Sequence, residues 1–255
     1  MAQIILQAID AAKIIPKSRC LFHRRDPSKA RHNEQVFGIS STSLEHLVTT
    51  TDLILICVRP AQAKEALHSL RHIQAAKTKM FISIMAGVRI PMLKELLGEG
   101  PSISRAMPNI ASAVAEGMTL LSFEPHLDLE RKSLWNQLFS AIGKVEEIHE
   151  NQMDIGCAMA GSGPAFVLEL IEAMARAGVK EGLRYEQALA IAAQTFLGAA
   201  KLVLKGQKPE DLLTQIATPN GTTAAGLEML KQEEIKHRFT QVIEAAALRS
   251  KNLSS

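Results

Sequence analysis

Near the end of the chain, Thr218-Pro-Asn-Gly-Thr-Thr223 sets a turn-forming proline and glycine against two hydroxyls. If a helix starts at Gly221-Thr222-Thr223, its free N–H groups and a hydroxyl are suited to holding a small carboxylate. The same spacing also fits ordinary capping residues for the helix that follows. Three further clusters each stand just after an apolar run: Cys57-Val-Arg-Pro60, Met85-Ala-Gly-Val88 and Arg105-Ala-Met-Pro-Asn109. Open α/β sheets place their ligands at that end of a strand. Leu21-Phe22-His23 is followed by Arg24 and Arg25, where an NAD site would carry an acidic residue for the ribose hydroxyl. Arginine there suits a 2′-phosphate, although two arginines in a loop are also a common solvated feature.

Other chemistry is disfavoured by spacing. Gly161-Ser162-Gly163 lacks the Gly-x-Ser-x-Gly interval of a hydrolase elbow. With Pro164 at a first helical turn it reads as a helix start that Ser162 caps. His68 and His72 lie four apart but lack the intervening Glu of a zinc helix and any third ligand nearby, so they read as surface histidines and no metal is expected. Cys20, Cys57 and Cys157 are odd in number and widely spaced, and read as packing residues of a protein in a reducing compartment. The net charge of +3 is spread along 255 residues, which argues against nucleic acid or an anionic membrane as partner. The strongest apolar run, Leu53 to Val58, is far shorter than the roughly 20 residues of a membrane helix, and no signal peptide opens the chain. A cytoplasmic protein is expected.

The elements that must position these residues change character near Glu150. Before it, short apolar runs alternate with helical patterns. Strands are predicted at Arg19–His23, Asp52–Val58, Met80–Met85, Ser102–Arg105, Met118–Phe123 and Val145–His149. The run after Asp52 is apolar at every position, as in a parallel strand covered on both faces. After Glu150 come Ala-rich helices, predicted from Pro164 to about Glu181, Tyr185 to about Lys205 and Gln232 to about Lys251. So many small side chains on one helix suggest an interface. The reading is α/β: residues 1–149 a dinucleotide-binding domain, and residues 150–255 an all-α domain. Met1 to Asp10 already reads as an amphipathic helix, so the strand and glycine-rich turn that normally open such a sheet are not in this sequence.

Taken in order, Val58-Arg-Pro60, Ser83-Ile-Met-Ala-Gly-Val88, Arg105-Ala-Met-Pro-Asn109, Glu150 with Asp154, Gly161-Ser-Gly-Pro-Ala-Phe166, Gln194-Thr-Phe-Leu-Gly-Ala-Ala200 and Thr218-Pro-Asn-Gly-Thr-Thr223 resemble the pyrroline-5-carboxylate reductase family from Met1 to about Leu253. The resemblance implies a Rossmann-like domain whose first strand and Gly-rich loop are missing from this chain. It also implies a helical dimerisation domain, with assembly as a homodimer or a ring of dimers. The implied reaction is hydride transfer from NADPH, or NADH, to the C=N bond of 1-pyrroline-5-carboxylate, giving L-proline. Carried over by position, Arg25 meets the adenosine phosphate; Cys57, Val58, Arg59 and Pro60 line the cofactor's ribose and phosphate region; and Ile84, Met85 and Ala86 approach the nicotinamide. Glu150, Thr218, Gly221, Thr222 and Thr223 serve the substrate, with Thr223 holding the ring nitrogen. Departures from the family are Arg59 for a usual lysine, Asn220 for a glycine and Phe166 for a tyrosine. Asparagine tolerates the left-handed backbone that the turn needs. Two alternatives are a catalytically impaired reductase-like dimer lacking the pyrophosphate loop, and another cyclic-imine or hydroxyacid oxidoreductase on the same two-domain plan. For a 6-phosphogluconate-type enzyme, Gly156–Gly161 offers no catalytic lysine.

Overall fold

The computed structural model describes residues 1–253. It opens with helix α1 (Ala2–Ala11), whose buried Ile5 and Ile9 stand four apart on one face. Helices α2 (Pro27–Phe37) and α3 (Leu44–Thr50) follow, capped by the Asp26 and Ser43 side chains. Among the described residues, β1 (Leu53–Ile56), β2 (Met80–Ser83), β3 (Ser102–Met107), β4 (Gly117–Phe123) and β5 (Gly143–Glu147) form one sheet in that order. Helix α4 (Ala63–Arg71) joins β1 to β2, α5 (Ile90–Leu97) joins β2 to β3, and α6 (Leu129–Ser140) joins β4 to β5.

The apolar run of β1 is explained by burial on both faces. Ile54 and Ile56, with Phe81 and Ile103, meet Leu47 and Val48 of α3, Leu67 of α4 and Leu93 of α5. Leu53 and Leu55, with Met80, Ile82, Ala106 and Leu121, face Ile5 and Ile9 of α1 and Trp135, Leu138 and Phe139 of α6. Strand residues of alternate parity therefore feed two cores, and no face is left polar.

Three expectations are corrected. Arg19–His23 is not a strand of the sheet: Lys17–Arg19 is a 3₁₀ turn, and Phe22 makes one isolated parallel bridge to Ser41. Its backbone is paired with Ser40 and Thr42, through Phe22 N–H to Ser40 O and Thr42 N–H to Phe22 O, and β propensity without a neighbouring ladder yields only that. The sheet is also not wholly parallel, because β4 runs antiparallel to β3. The connection 108–116 holds a single 3₁₀ turn, Ile110–Val114, and is too short for the dozen or so residues of a parallel crossover.

The third correction concerns Gly163-Pro164: α8 begins there as expected, but as the continuation of a helical segment and not as a free start capped by Ser162. A continuous helical segment runs from a 3₁₀ turn at Glu150–Gln152 through α7 (Met153–Gly156) and a π-helical stretch, Cys157–Ser162, into α8 (Gly163–Lys180). Pro164 has no N–H to give the carbonyl of Ala160 four residues back. The Asn109 side-chain amide donates to that carbonyl instead, at 3.0 Å, which explains how a proline persists inside the helix.

Contacts divide the chain into two compact units, Met1–Ser162 with the chain from Ala245 onward, and Gly163–Glu244. The second unit holds α8, α9 (Tyr185–Leu204), α10 (Pro209–Ile216), α11 (Thr222–Gln232) and the start of α12 (Ile235–Asn252). Helix α10 has no counterpart in the sequence reading. Helices α8 and α9 pack through Ala175, Ala188 and Ala192. By length and hydropathy, residues 150–180 and Tyr185–Leu204 are long and apolar enough to cross a membrane, with mean hydropathy of 1.3 and 1.4. The Leu53–Val58 run is therefore not the strongest such candidate. Alanine, together with scattered Leu, Ile, Val and Met, supplies these values without an unbroken run of large apolar residues.

Candidate functional site

The loops after β1 and β2 carry the cofactor candidates. Cys57, Arg59 and Pro60 are exposed just past β1, while Val58 packs partly into the core. Cys57 is exposed by area yet closely surrounded by protein, and that desolvation pushes its thiol up to about 12; burial also pushes up the thiols of the half-buried Cys20 and Cys157. Arg59 precedes a 3₁₀ turn, Pro60–Gln62, and its N–H donates to Gln62 Oε1 at 3.3 Å. Arg24 and Arg25 are exposed, and Arg25 pairs with Glu65 on the first turn of α4. Past β2, Met85 is buried with Val88 and Ile90 while Ile84 lies against the other core. Only their backbone and the small Ala86 therefore remain to meet a flat ring.

Gly87 has φ +74°, in the left-handed region, and an added Cβ would stand 2.7 Å from Leu253 Cβ and 3.3 Å from Ser250 O. Both the conformation and the space demand glycine. Beside this loop stands a polar network centred on the start of the 150–180 helical segment. Glu150 Oε1 accepts from Arg105 Nη1 at 2.9 Å and from Ile90 N, the first helical residue of α5, at 3.0 Å. Arg89 Nη2 donates to Asp154 Oδ2 at 3.0 Å, and Ser250 Oγ donates to Asp154 Oδ1 at 2.8 Å. Arg105 is only 3% exposed, and its Nε and Glu150 Oε2 are buried without a hydrogen-bond partner among the described residues. Arg89 and Ser250 were not read from the sequence as site residues, and Arg105 was read only as part of the Arg105–Asn109 cluster, without a role of its own. A charged residue amid Ser102-Ile-Ser-Arg-Ala-Met107 was a usable signal for Arg105, whereas Ser250 lies 96 residues from Asp154 and carried none.

In the helical unit, Thr218–Gly221 is a turn closed by Gly221 N–H to Thr218 O at 3.0 Å. Pro219 and Asn220, the latter at φ +60°, give it the pattern of a type II turn, with asparagine taking the left-handed position as expected. Gly221 is extended at φ −80°; it must be small because an added Cβ would meet Thr218 Oγ1 at 2.5 Å. Gly221 is the N-cap of α11, and no side chain caps that helix. The capping role open to Thr222 and Thr223 is therefore not taken, and the first N–H groups of α11 are left for another acceptor.

A shallow depression lined by Arg71, Lys94, Glu95, Gly98, Glu99 and Pro101 lies instead near the start of β3, away from every motif above. Among the described residues no group of three or more His, Cys, Asp or Glu could hold a metal. His68 and His72 stay exposed, with Nε2 atoms 3.4 Å apart.

A parallel-dominated sheet wrapped by helices, its loops open past β1 and β2, together with an all-helical unit, defines a Rossmann-like nicotinamide-dependent oxidoreductase with a helical dimerisation domain. A family model described as NADP oxidoreductase, coenzyme F420-dependent, matches residues 1–87, and one described as pyrroline-5-carboxylate reductase dimerisation matches residues 150–253. Pyrroline-5-carboxylate reductase 1 of Bacillus spizizenii is 33% identical over 257 residues, covering 100% of this chain and 86% of the relative. A pyrroline-5-carboxylate reductase structure from Coxiella burnetii aligns with TM-score 0.90 at 29% identity, covering 100% of this chain and 95% of the other. The Plasmodium falciparum pyrroline carboxylate reductase with NADP bound aligns with TM-score 0.87 at 30% identity, covering 99% and 94%. The chain belongs to the pyrroline-5-carboxylate reductase family.

Proposed function

We propose that this protein reduces 1-pyrroline-5-carboxylate to L-proline as a homodimer, with NADPH in preference to NADH. The observation that carries the reading is the match along the whole of this chain, at about one third identity, to reductases of that name. We divide the labour as residues 1–149 for the cofactor and 150–255 for dimerisation and substrate. The donor set fits a phosphorylated dinucleotide: Arg24 and Arg25 stand directly after Phe22-His23 and are exposed, while the acidic residue that follows, Asp26, is engaged in capping α2. Arg25, Cys57, Val58, Arg59 and Pro60 would hold its adenosine and phosphate parts, and the backbone of Ile84, Met85 and Ala86 would receive the ring. When bound, the cofactor supplies the hydride. The protein residues orient rather than activate, because a protonated cyclic imine is already electrophilic. The uncapped N–H groups of Thr222 and Thr223 would hold the carboxylate at the positive end of α11. The Thr223 hydroxyl would hold the ring nitrogen, Thr218 and Gly221 shape the turn, and Glu150 belongs to the polar network beside the Gly87 loop.

The test is oxidation of NADPH followed at 340 nm with and without 1-pyrroline-5-carboxylate. We expect substrate-dependent turnover, with Thr223→Ala losing roughly tenfold in kcat/KM, the scale of one hydrogen bond made to a charged group. NADPH binding to that variant should be unchanged. A folded protein inert toward the imine with both NADPH and NADH would overturn the reading.

A further inference from the structure

The segment between β2 and α5 is too short to form its own core, yet it is fixed at four points. Ser83 Oγ accepts from Met85 N at 3.2 Å. Gly87 lies under Leu253 and the Ser250 carbonyl. Arg89 is tied to Asp154, whose other oxygen is held by Ser250. Ile90 N–H is tied to Glu150, held in turn by Arg105 of β3. Apart from the local Ser83 contact, every anchor comes from residues 150–154, from the end of α12 or from β3. Glu150 Oε1 is already spent on two donors and Oε2 is buried, so in this state neither oxygen is offered to a ligand. A buried ion pair is a poor means of gaining stability, since well-packed apolar residues do as well or better. Its geometric effect is clearer: a carboxylate on the first N–H of α5, favoured by that helix's dipole, fixes where Ile84–Gly87 must lie.

We propose that Glu150 and Arg105 are positioning residues that set the Ile84–Gly87 backbone against the nicotinamide, and that Glu150 acts through this loop rather than as a substrate ligand. The proposal rests on the reading above that the loop receives the ring. Displacement of a positioning element by about 1 Å can cost on the order of 100-fold in rate without touching the reacting atoms.

The experiment measures Glu150→Gln, Arg105→Lys and Ser250→Ala. Each is examined for NADPH affinity by fluorescence, for affinity toward adenosine 2′,5′-bisphosphate, which lacks the nicotinamide half, and for kcat and imine KM. In Glu150→Gln and Arg105→Lys we expect kcat to fall on the order of 10- to 100-fold. NADPH should bind several-fold more weakly, while bisphosphate affinity and imine KM stay within about twofold. Ser250→Ala, a change small enough to preserve folding, should show the same pattern at roughly tenfold, the scale of one hydrogen bond to a charged carboxylate. Equal losses on both nucleotides would reduce the network to general stability, and a raised imine KM with normal NADPH binding would make Glu150 a substrate ligand; either overturns the proposal. If the wild-type protein binds neither nucleotide, the cofactor reading fails first and takes the proposal with it.

Discussion

Asp26 closes the arginine loop by starting α2: its carboxylate accepts from Ser28 N at 3.0 Å, Lys29 N at 3.2 Å and Ser28 Oγ at 2.7 Å. The Ser28 hydroxyl first, then the Lys29 N–H, hold its pKa down at about 2. An unfolded aspartate titrates near 3.9, so the folded state prefers the carboxylate. The cap's contribution is fully present above about pH 4 and is lost as pH falls toward about 2. Amide exchange at Ser28 and Lys29 should therefore be faster in Asp26→Ala than in wild type at pH 6, and the gap should narrow between about pH 4 and 2. A gap that does not move with pH would show that the charge plays no part in the cap. Of residues of this local kind, Asn220 was read from the sequence as tolerating the left-handed backbone it adopts, whereas the Asp26-Pro27 cap, equally local, was not read. Residues whose partners are remote were not legible. Arg89 reads as a surface charge until Asp154, 65 positions on, is brought to it.

Asn109 binds one element to another. Its side chain donates to the Ala160 carbonyl that Pro164 leaves open in the π-helical stretch, and accepts from Met118 N at 3.4 Å in β4. It is 8% exposed, so water cannot readily replace it. Asn109→Ala should cost about 1–3 kcal/mol in denaturant unfolding, the scale of two hydrogen bonds lost to partly buried backbone groups. Asn109→Asp, which keeps only the acceptor, should lose the bond to Ala160 and keep the one to Met118. No measurable change in the alanine variant would mean that the bulge is satisfied within the helix itself. The same segment explains the limits of reading elements from pattern. The runs at Leu53, Met80, Ser102 and Met118 were legible because burial on both faces forces apolar or small residues on both parities. Gly163-Pro164 misled because a helix start and a proline-accommodating π turn look alike in sequence, and only a donor from 51 residues away distinguishes them. The antiparallel sense of β4 was written in the shortness of the 108–116 connection, a length rule rather than a residue pattern.

At the scale of the molecule, the helical unit cannot account for its own folding. Among the described residues of Gly163–Glu244, only Ala175, Ala188 and Ala192 are buried, and alanines remove little apolar area from water. Leu168 is 60% exposed, Ile191 52% and Leu204 76%, on the two helical segments long and apolar enough to cross a membrane, and Met229 on α11 is 57% exposed. So many large apolar side chains exposed on one helical unit mark a surface that something covers. A second copy fits the match of this region to a dimerisation model, and the Gly- and Ala-rich run Gln194–Ala200 lets backbones approach closely. If the cover is a second copy, stability is inseparable from association, and the unfolding midpoint must rise with protein concentration. The purified protein should therefore show a dimer mass, or a multiple of it, by light scattering without detergent, with a thermal midpoint several degrees higher at 50-fold greater concentration, on the order of the linkage term for a dissociating dimer. Replacing Leu168 and Ile191 together by glutamate should abolish that mass and lower the midpoint, while leaving the sheet unit's own helices and strands visible by circular dichroism. A monomer mass with a concentration-independent midpoint would exclude self-association, and a protein that stays in solution only with detergent would point to lipid as the cover.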